Sequence, residues 1–316
     1  FPKIAARLGM DGIEVADPYV ERLLEGVAFL SARVQLELEM QHPVFTSHLL
    51  EIVYPHFLTP TPSMMIVAFT PDMAEPALAE GVVLPRGTAL RSIIPEGQQT
   101  ACRYRTAHDV TLWPLEVAQA EYVDGRGALV AAGVAVGGAE ARAAIRLRLR
   151  RPGGAPVGEL ALDRLVVHLG GQGVRGGVLH ELLCSDCAGL VARSTDRRAD
   201  WVQPLGGGVS AYGLGPGEAL LPVPRQGFDG YRLLQEYFAL PERFHFVELT
   251  GLSRGLARAA GDEIDIYILL RNGRADPYVP PALAGDPGLA VERARRARLD
   301  GGGGLGFQHL ARFPPA

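Results

Sequence analysis

Three clusters in this sequence carry residue types that could do chemistry. Cys184 and Cys187 form a single C-x-x-C, with His180 one helical turn upstream. Zinc needs four ligands from cysteine, histidine or carboxylate, and no second closely spaced pair completes such a set. Ser185 and Asp186 between the thiols give no hint of a redox motif, so the pair reads as ordinary residues at a helix end. His108-Asp109 falls in an expected turn, from which acid-base groups are often displayed. A triad would need a nucleophile, and Ser63, Ser92 and Cys102 lie in contexts without the nucleophile-elbow pattern. A turn-stabilising aspartate and a hydrogen-bonded histidine account for the same letters. His42 and His48 have the wrong spacing for H-E-x-x-H.

Asp262, Glu263 and Asp265 could in principle serve a cation or a glycosidic bond, but their alternation with Ile264 and Ile266 marks the wet face of a strand. The glycines of "GLGPG" (213–217) lack G-x-G-x-x-G spacing, and no Gly-Lys-Ser or Gly-Lys-Thr occurs, which argues against both familiar nucleotide loops. Arg146, Arg148 and Arg150 alternate with Ile145, Leu147 and Leu149. They form either a solvated face of weak ion pairs or one side of a protein interface.

The chain behind these residues has 316 positions, 31 basic against 35 acidic, for a net charge of -4. No basic excess marks nucleic acid as a partner. All basic residues but Lys3 are arginines, which reads as compositional bias. Three cysteines are too few for a disulfide scaffold and point to a reducing, cytosolic compartment. No apolar run approaches a membrane span, and the first residues carry no secretory pattern.

Asp17-Pro18 is a helix start, and apolar residues from Val20 to Leu38 recur at helical spacing to about Met40. Phe29, Ala32, Leu36 and Met40 widen that arc, so the helix should be covered by more than one neighbour. A second helix after His42-Pro43 should stop by Tyr54, before Pro55. Short strands follow at 64–69, 102–106, 111–117, 144–150 and near 160–169, with a short helix within "RGGVLHELLCSDCAG". The stretch "LGGGVSAYGLGPGEALLP" reads as glycine-rich surface. A helix capped by Asp229 should turn Leu233, Leu234, Tyr237 and Phe238 to a core, followed by strands at 244–249 and 263–270. The fold class is α+β: a helical unit (1–62), an antiparallel β-rich domain (63–226), a smaller α+β unit (227–271) and a poorly ordered tail (272–316).

The stretches "FPKIAARLG", "ADPYVERLLEGVAFLSARVQLELE", "HLLEIVYPHFLTPTPSM", "CRYRTAHDVTLWPLEV" and "GYRLLQEYFALPERFHFVELTGL" together resemble the TssF (VasA/ImpG) family of type VI secretion baseplate subunits. The resemblance runs in family order over roughly residues 1 to 270. It implies a structural wedge component without cofactor, metal or reaction, with TssG, TssK, TssE, VgrG and another TssF copy as partners. It also implies a cytoplasmic site at the inner membrane, and indirect contact with the membrane complex. Tyr19, Leu23, Phe29, Tyr54, Phe57, Tyr237 and Phe238 then belong to core or subunit contacts. Family members begin earlier and continue past "YILL", so the resemblance implies a trimmed start and a truncated or frame-shifted end from about Ala275. The competing readings are a hydrolase using His108 and Asp109, and a carbohydrate- or peptide-binding β domain.

Overall fold

The computed structural model describes residues 3, 7, 17–73, 75–92, 94, 99–134, 141–170, 175–196, 199–222, 228–272 and 308–312. It divides into two compact units, Phe1–Pro60 with Pro224–Phe228, and Thr61–Val223 with Asp229–Ala316.

The first unit is built on one helix, α1 (Pro18–Val53). Its Asp17 N-cap accepts a hydrogen bond from the Tyr19 N–H at 2.9 Å, and Pro18 presets the first turn, as the sequence indicates. The two helices expected on either side of Pro43 are a single helix of 36 residues. Proline removes one backbone donor but need not end a helix. Here the next turn closes locally, the Thr46 hydroxyl donating to the carbonyls of His42 and Pro43, both at 3.1 Å. No residue of α1 is buried. Tyr19, Leu23, Leu30, Val34 and Met40 are all more than 60 % exposed, so the cover expected for this broad apolar arc is absent within the described residues.

The second unit is antiparallel β with short helices. Its strands are β1 (Met64–Ala68), β2 (Val82–Leu84), β3 (Ala89–Arg91), β4 (Arg103–Thr106), β5 (Val110–Leu112), β6 (Glu116–Asp124) and β7 (Ala143–Arg150). They continue as β8 (Leu165–His168), β9 (Cys187–Ser194), β10 (Val202–Leu205), β11 (Val209–Ala211), β12 (Phe246–Leu249), β13 (Glu263–Leu270) and β14 (Gln308–Arg312). The helices are α2 (Arg126–Ala131), α3 (Arg175–Asp186), α4 (Asp229–Ala239) and α5 (Ser253–Leu256). The strand expected over 111–117 is broken at Trp113-Pro114 into the end of β5 and the start of β6, because proline cannot donate to a ladder.

A five-stranded sheet in the order β10-β9-β13-β7-β6 holds the core. Its centre, β13, is buried from Ile264 to Leu270, which explains why "EIDIYILL" is almost continuously apolar. Ile264, Ile266, Ile268 and Leu270 face the main core, which they share with Leu147 and Leu149 of β7, Val167 of β8, Leu249 of β12 and Leu183 of α3. On the opposite face Tyr267 and Leu269 pack with Leu129 of α2, Ala144 and Val191.

That second face also holds the arginines of β7, each opposite strand neighbours that neutralise it. Arg146 reaches Glu121 at 2.7 Å, Arg148 grips Asp265 through two bonds of 2.7 and 2.9 Å, and Arg150 pairs with Glu116. The arginine strand is therefore a row of internal cross-strand pairs. Asp265 is only 4 % exposed, so the expected wet face of β13 is instead a buried carboxylate held by a two-pronged guanidinium.

The remaining strands form a four-stranded sheet β1-β14-β4-β3, a three-stranded sheet β11-β12-β8 and the pair β2-β5. Within the expected tail, residues 273–307 and 313–316 lie outside the described residues, while Gln308–Arg312 pair with both β1 and β4. The glycine-rich stretch is likewise structured. It contains the end of β10 and all of β11, and a Cβ on Gly207 would stand 1.8 Å from the Thr250 carbonyl oxygen. Backbone passes backbone there too closely for any side chain. Gly207→Ala is expected to destabilise the second unit by about 1–3 kcal/mol, read as a lower urea midpoint at unchanged slope.

Candidate functional site: a buried arginine–glutamate clasp and two exposed apolar surfaces

The helix α4 inverts the burial its sequence suggests. Tyr231, Leu234, Tyr237 and Phe238 are exposed, Phe238 at 82 %, whereas Arg232 and Glu236 are buried at 1 % and 0 %. Residues four apart share a helix face, so the charged pair faces inward and these apolar residues turn outward, while Leu233 is half-buried. The cause is a polar network. Glu236 Oε1 accepts from Arg232 at 3.0 Å and from the backbone N–H groups of Leu220 and Leu221 at 3.1 and 2.9 Å. Its other oxygen meets Arg243, itself fully buried. Arg232 also grips Asp229 with bonds of 2.7 and 3.2 Å.

These groups tie down residues 213–221, a segment whose glycines suggest surface. Arg243 donates to the carbonyls of Gly213 and Glu218, the latter at 2.8 Å. Arg86 donates to those of Gly217 and Ala219 at 3.1 and 3.0 Å. The Glu218 carboxylate closes the turn by accepting the N–H groups of Gly213 and Gly215, both at 2.9 Å. Gly213 has φ +97°, open to glycine and strained for other residues. Ala219, Leu220 and Leu221 are buried in consequence. Burial and, to a lesser degree, the Arg232 charge pull the Arg243 guanidinium down to about 10, against a smaller opposing pull from Glu218, so it remains charged at neutral pH.

His108 and Asp109 belong to the same construction. The buried His108 ring lies 2.5 Å from the Glu218 carbonyl through Nε2, which therefore carries the proton, and its edge meets Tyr212 at a centroid distance of 5.6 Å. Asp109 accepts the Arg86 N–H at 2.7 Å. The two side chains are committed to different partners, and neither lines the small apolar cavity bounded by Tyr122, Ile145, Leu147, Val167, Leu179 and Ile268. That is no arrangement for relaying a proton to a nucleophile, which removes the geometric basis of the hydrolase reading.

Cys184 is exposed, its Sγ 3.7 Å from His180 Nε2, and Cys187 begins β9. Burial, with a smaller effect of Cys187, pushes the Cys184 thiol up, away from thiolate reactivity. Among the described residues no three histidine, cysteine or carboxylate side chains converge as a metal site.

What the sequence left undetected was the clasp. Its only signal is the spacing of opposite charges at positions 232 and 236, four apart in the helix.

The fold and these sites define a β-rich scaffold whose ionic groups serve packing and whose apolar side chains are turned outward on α1 and α4. The model of the type VI secretion system TssF family matches residues 1–283, and the chain belongs to that family. It is 50 % identical over 270 residues to the type VI secretion system component TssF1 of Pseudomonas aeruginosa, covering 85 % of this chain and 43 % of that protein. It is also similar to a chain in the cryo-electron microscopy structure of the TssK-TssF-TssG baseplate subcomplex. That match has a TM-score of 0.59 and 27 % identity, over 81 % of this chain and 45 % of the other. The chain thus spans somewhat less than half the length of each.

Glu236→Gln removes the one charge that two buried arginines share and is expected to cost about 3 kcal/mol or more, measured by urea unfolding at neutral pH. A second expectation concerns acid. Burial lowers His108, His180 and His245 below their ordinary value of 6.5. Their neutral forms are favoured in the fold, so above that pH they add no pH dependence. As pH falls below 6.5 the unfolded chain takes up protons first, and stability should decline until the folded-state values are passed. Replacing His108 with glutamine should flatten part of that decline in melting temperature against pH.

Proposed function

We propose that this chain is a structural wedge component of a type VI secretion baseplate, supporting spike docking and assembly of the contractile sheath. The observation that carries this reading is α1: about 54 Å of helix at 1.5 Å per residue, with an apolar arc bare along its length. An isolated helix presenting that much apolar surface gains stability when partner helices cover it. Family membership supplies the setting, and the relative's assembly with TssK and TssG supplies the first candidates for that cover. TssE, VgrG and a second copy of a TssF subunit are further partners on this reading. Residues 1–62 would serve as an assembly element, residues 63–226 and 227–271 as the folded body.

The proposed place of action is the cytoplasm at the inner face of the inner membrane, with contact to the membrane complex through other subunits. No helix among the described residues is long and apolar enough to cross a membrane. No cofactor or catalytic step enters this function. The Cys184, His108 and Asp262–Asp265 groups act here through packing and hydrogen bonding.

Co-production with TssG-like and TssK-like subunits, followed by size-exclusion chromatography with light scattering, tests the reading. The expected result is a stable complex that is lost on Leu30→Lys/Val34→Lys. Both positions are 62 % exposed, and lysine is a good helix former, so the free chain should keep its melting temperature within about a degree or two. A wild-type chain that folds yet elutes alone would refute assembly through these residues.

A further inference from the structure

The arginines on the outer face of the β3–β4 ribbon are treated unlike those of the main sheet. The register sets Arg91 directly opposite Arg103, with Arg105 two residues along on the same face, and all three are exposed. Leu90 and Tyr104 take the opposite face, where the Tyr104 hydroxyl meets Ser63 at 3.2 Å. Like charges directly opposite across an antiparallel pair are destabilising. On the three-stranded sheet, by contrast, the 68 % exposed Arg164 beside β8 has Glu248 of β12 at 2.7 Å. Among the described residues, Arg91, Arg103 and Arg105 have no acidic side chain within ion-pair distance.

We propose that the Arg91–Arg103–Arg105 face is a docking surface for an acidic protein segment, one presenting carboxylates some 5 to 7 Å apart to match the spacing across and along the two strands. Guanidinium groups take carboxylates in two-pronged bonds, as Arg148 already does with Asp265. Phosphate-rich partners fit less well. A site of three cations falls short of the roughly six to ten contacts by which proteins hold a nucleic-acid backbone, and the chain's net charge of -4 repels an extended polyanion. This surface belongs to the second unit, and its test requires no baseplate subunit.

The test is fluorescence anisotropy of a short labelled oligoglutamate peptide with the full chain, at low ionic strength and again at about 0.15 M salt. The Arg91→Glu/Arg103→Glu/Arg105→Glu chain is compared with Arg126→Glu/Arg142→Glu/Arg254→Glu, which makes the same charge change at other exposed positions. The expected result is about tenfold or greater weakening in the first variant, retained binding in the second, and weaker binding at the higher salt. If charge reversal disturbs the melt, the Arg→Gln triple at 91, 103 and 105 carries the comparison. Equal weakening by both triples would overturn the proposal, since net charge would then be the cause. Tighter binding of duplex DNA or phosphatidylserine vesicles than of the peptide, lost in the 91/103/105 variant, would overturn it in favour of a phosphate ligand.

Discussion

The carboxylate of Glu236 is the group on which the arrangement of α4 depends. A lone carboxylate at zero exposure would be neutralised or expelled, because leaving water costs it several kcal/mol that only close partners offset. Here two guanidinium groups and two backbone N–H groups converge on it from α4, from the turn before β12 and from the segment ending at Leu221. One acidic residue thereby joins a helix to a strand connection and to a glycine-rich loop. Arg243 and Arg86 extend the hold by taking four carbonyls of that loop, and His108 takes a second bond at Glu218.

The orientation of α4 follows. With Arg232 and Glu236 committed inward, Tyr231, Leu234, Tyr237 and Phe238 have only the outer face left. Ionic groups inside and apolar groups outside suit a subunit that is finished by its neighbours, since apolar area exposed in the free chain becomes binding area on assembly. The helix α1 applies the same logic at greater length, contributing no buried side chain to the described fold.

Much of the architecture was legible in the residue pattern. The Asp17-Pro18 cap, the alternation of "AIRLRLR" and the apolar run of "EIDIYILL" specify their elements through local sterics and hydrophobic period, which need no knowledge of distant partners. The breaks were less legible. Pro43 suggests a helix boundary because proline disfavours helix on average, yet the turn around Thr46 accommodates it. The glycines at 206–208 suggest an exposed loop, whereas Gly207 is needed because the Thr250 backbone passes against it. β14 lies in a stretch rich in glycine and arginine, and its strand character rests on pairing with β1 and β4.

By itself, then, the sequence determined the family, the α+β class and most element positions, since those depend on short-range periodicity and on long strings of shared residues. Tertiary structure alone decided which charges are internal and which face outward. Arg146, Arg148 and Arg150 look like a basic surface until register sets Glu121, Asp265 and Glu116 beside them, while Arg91, Arg103 and Arg105 find no such neighbour among the described residues. A guanidinium's environment is set by strands and loops brought together from far along the chain. Arg148 and Asp265 are 117 residues apart, and no local pattern can report that distance closing to 2.7 Å.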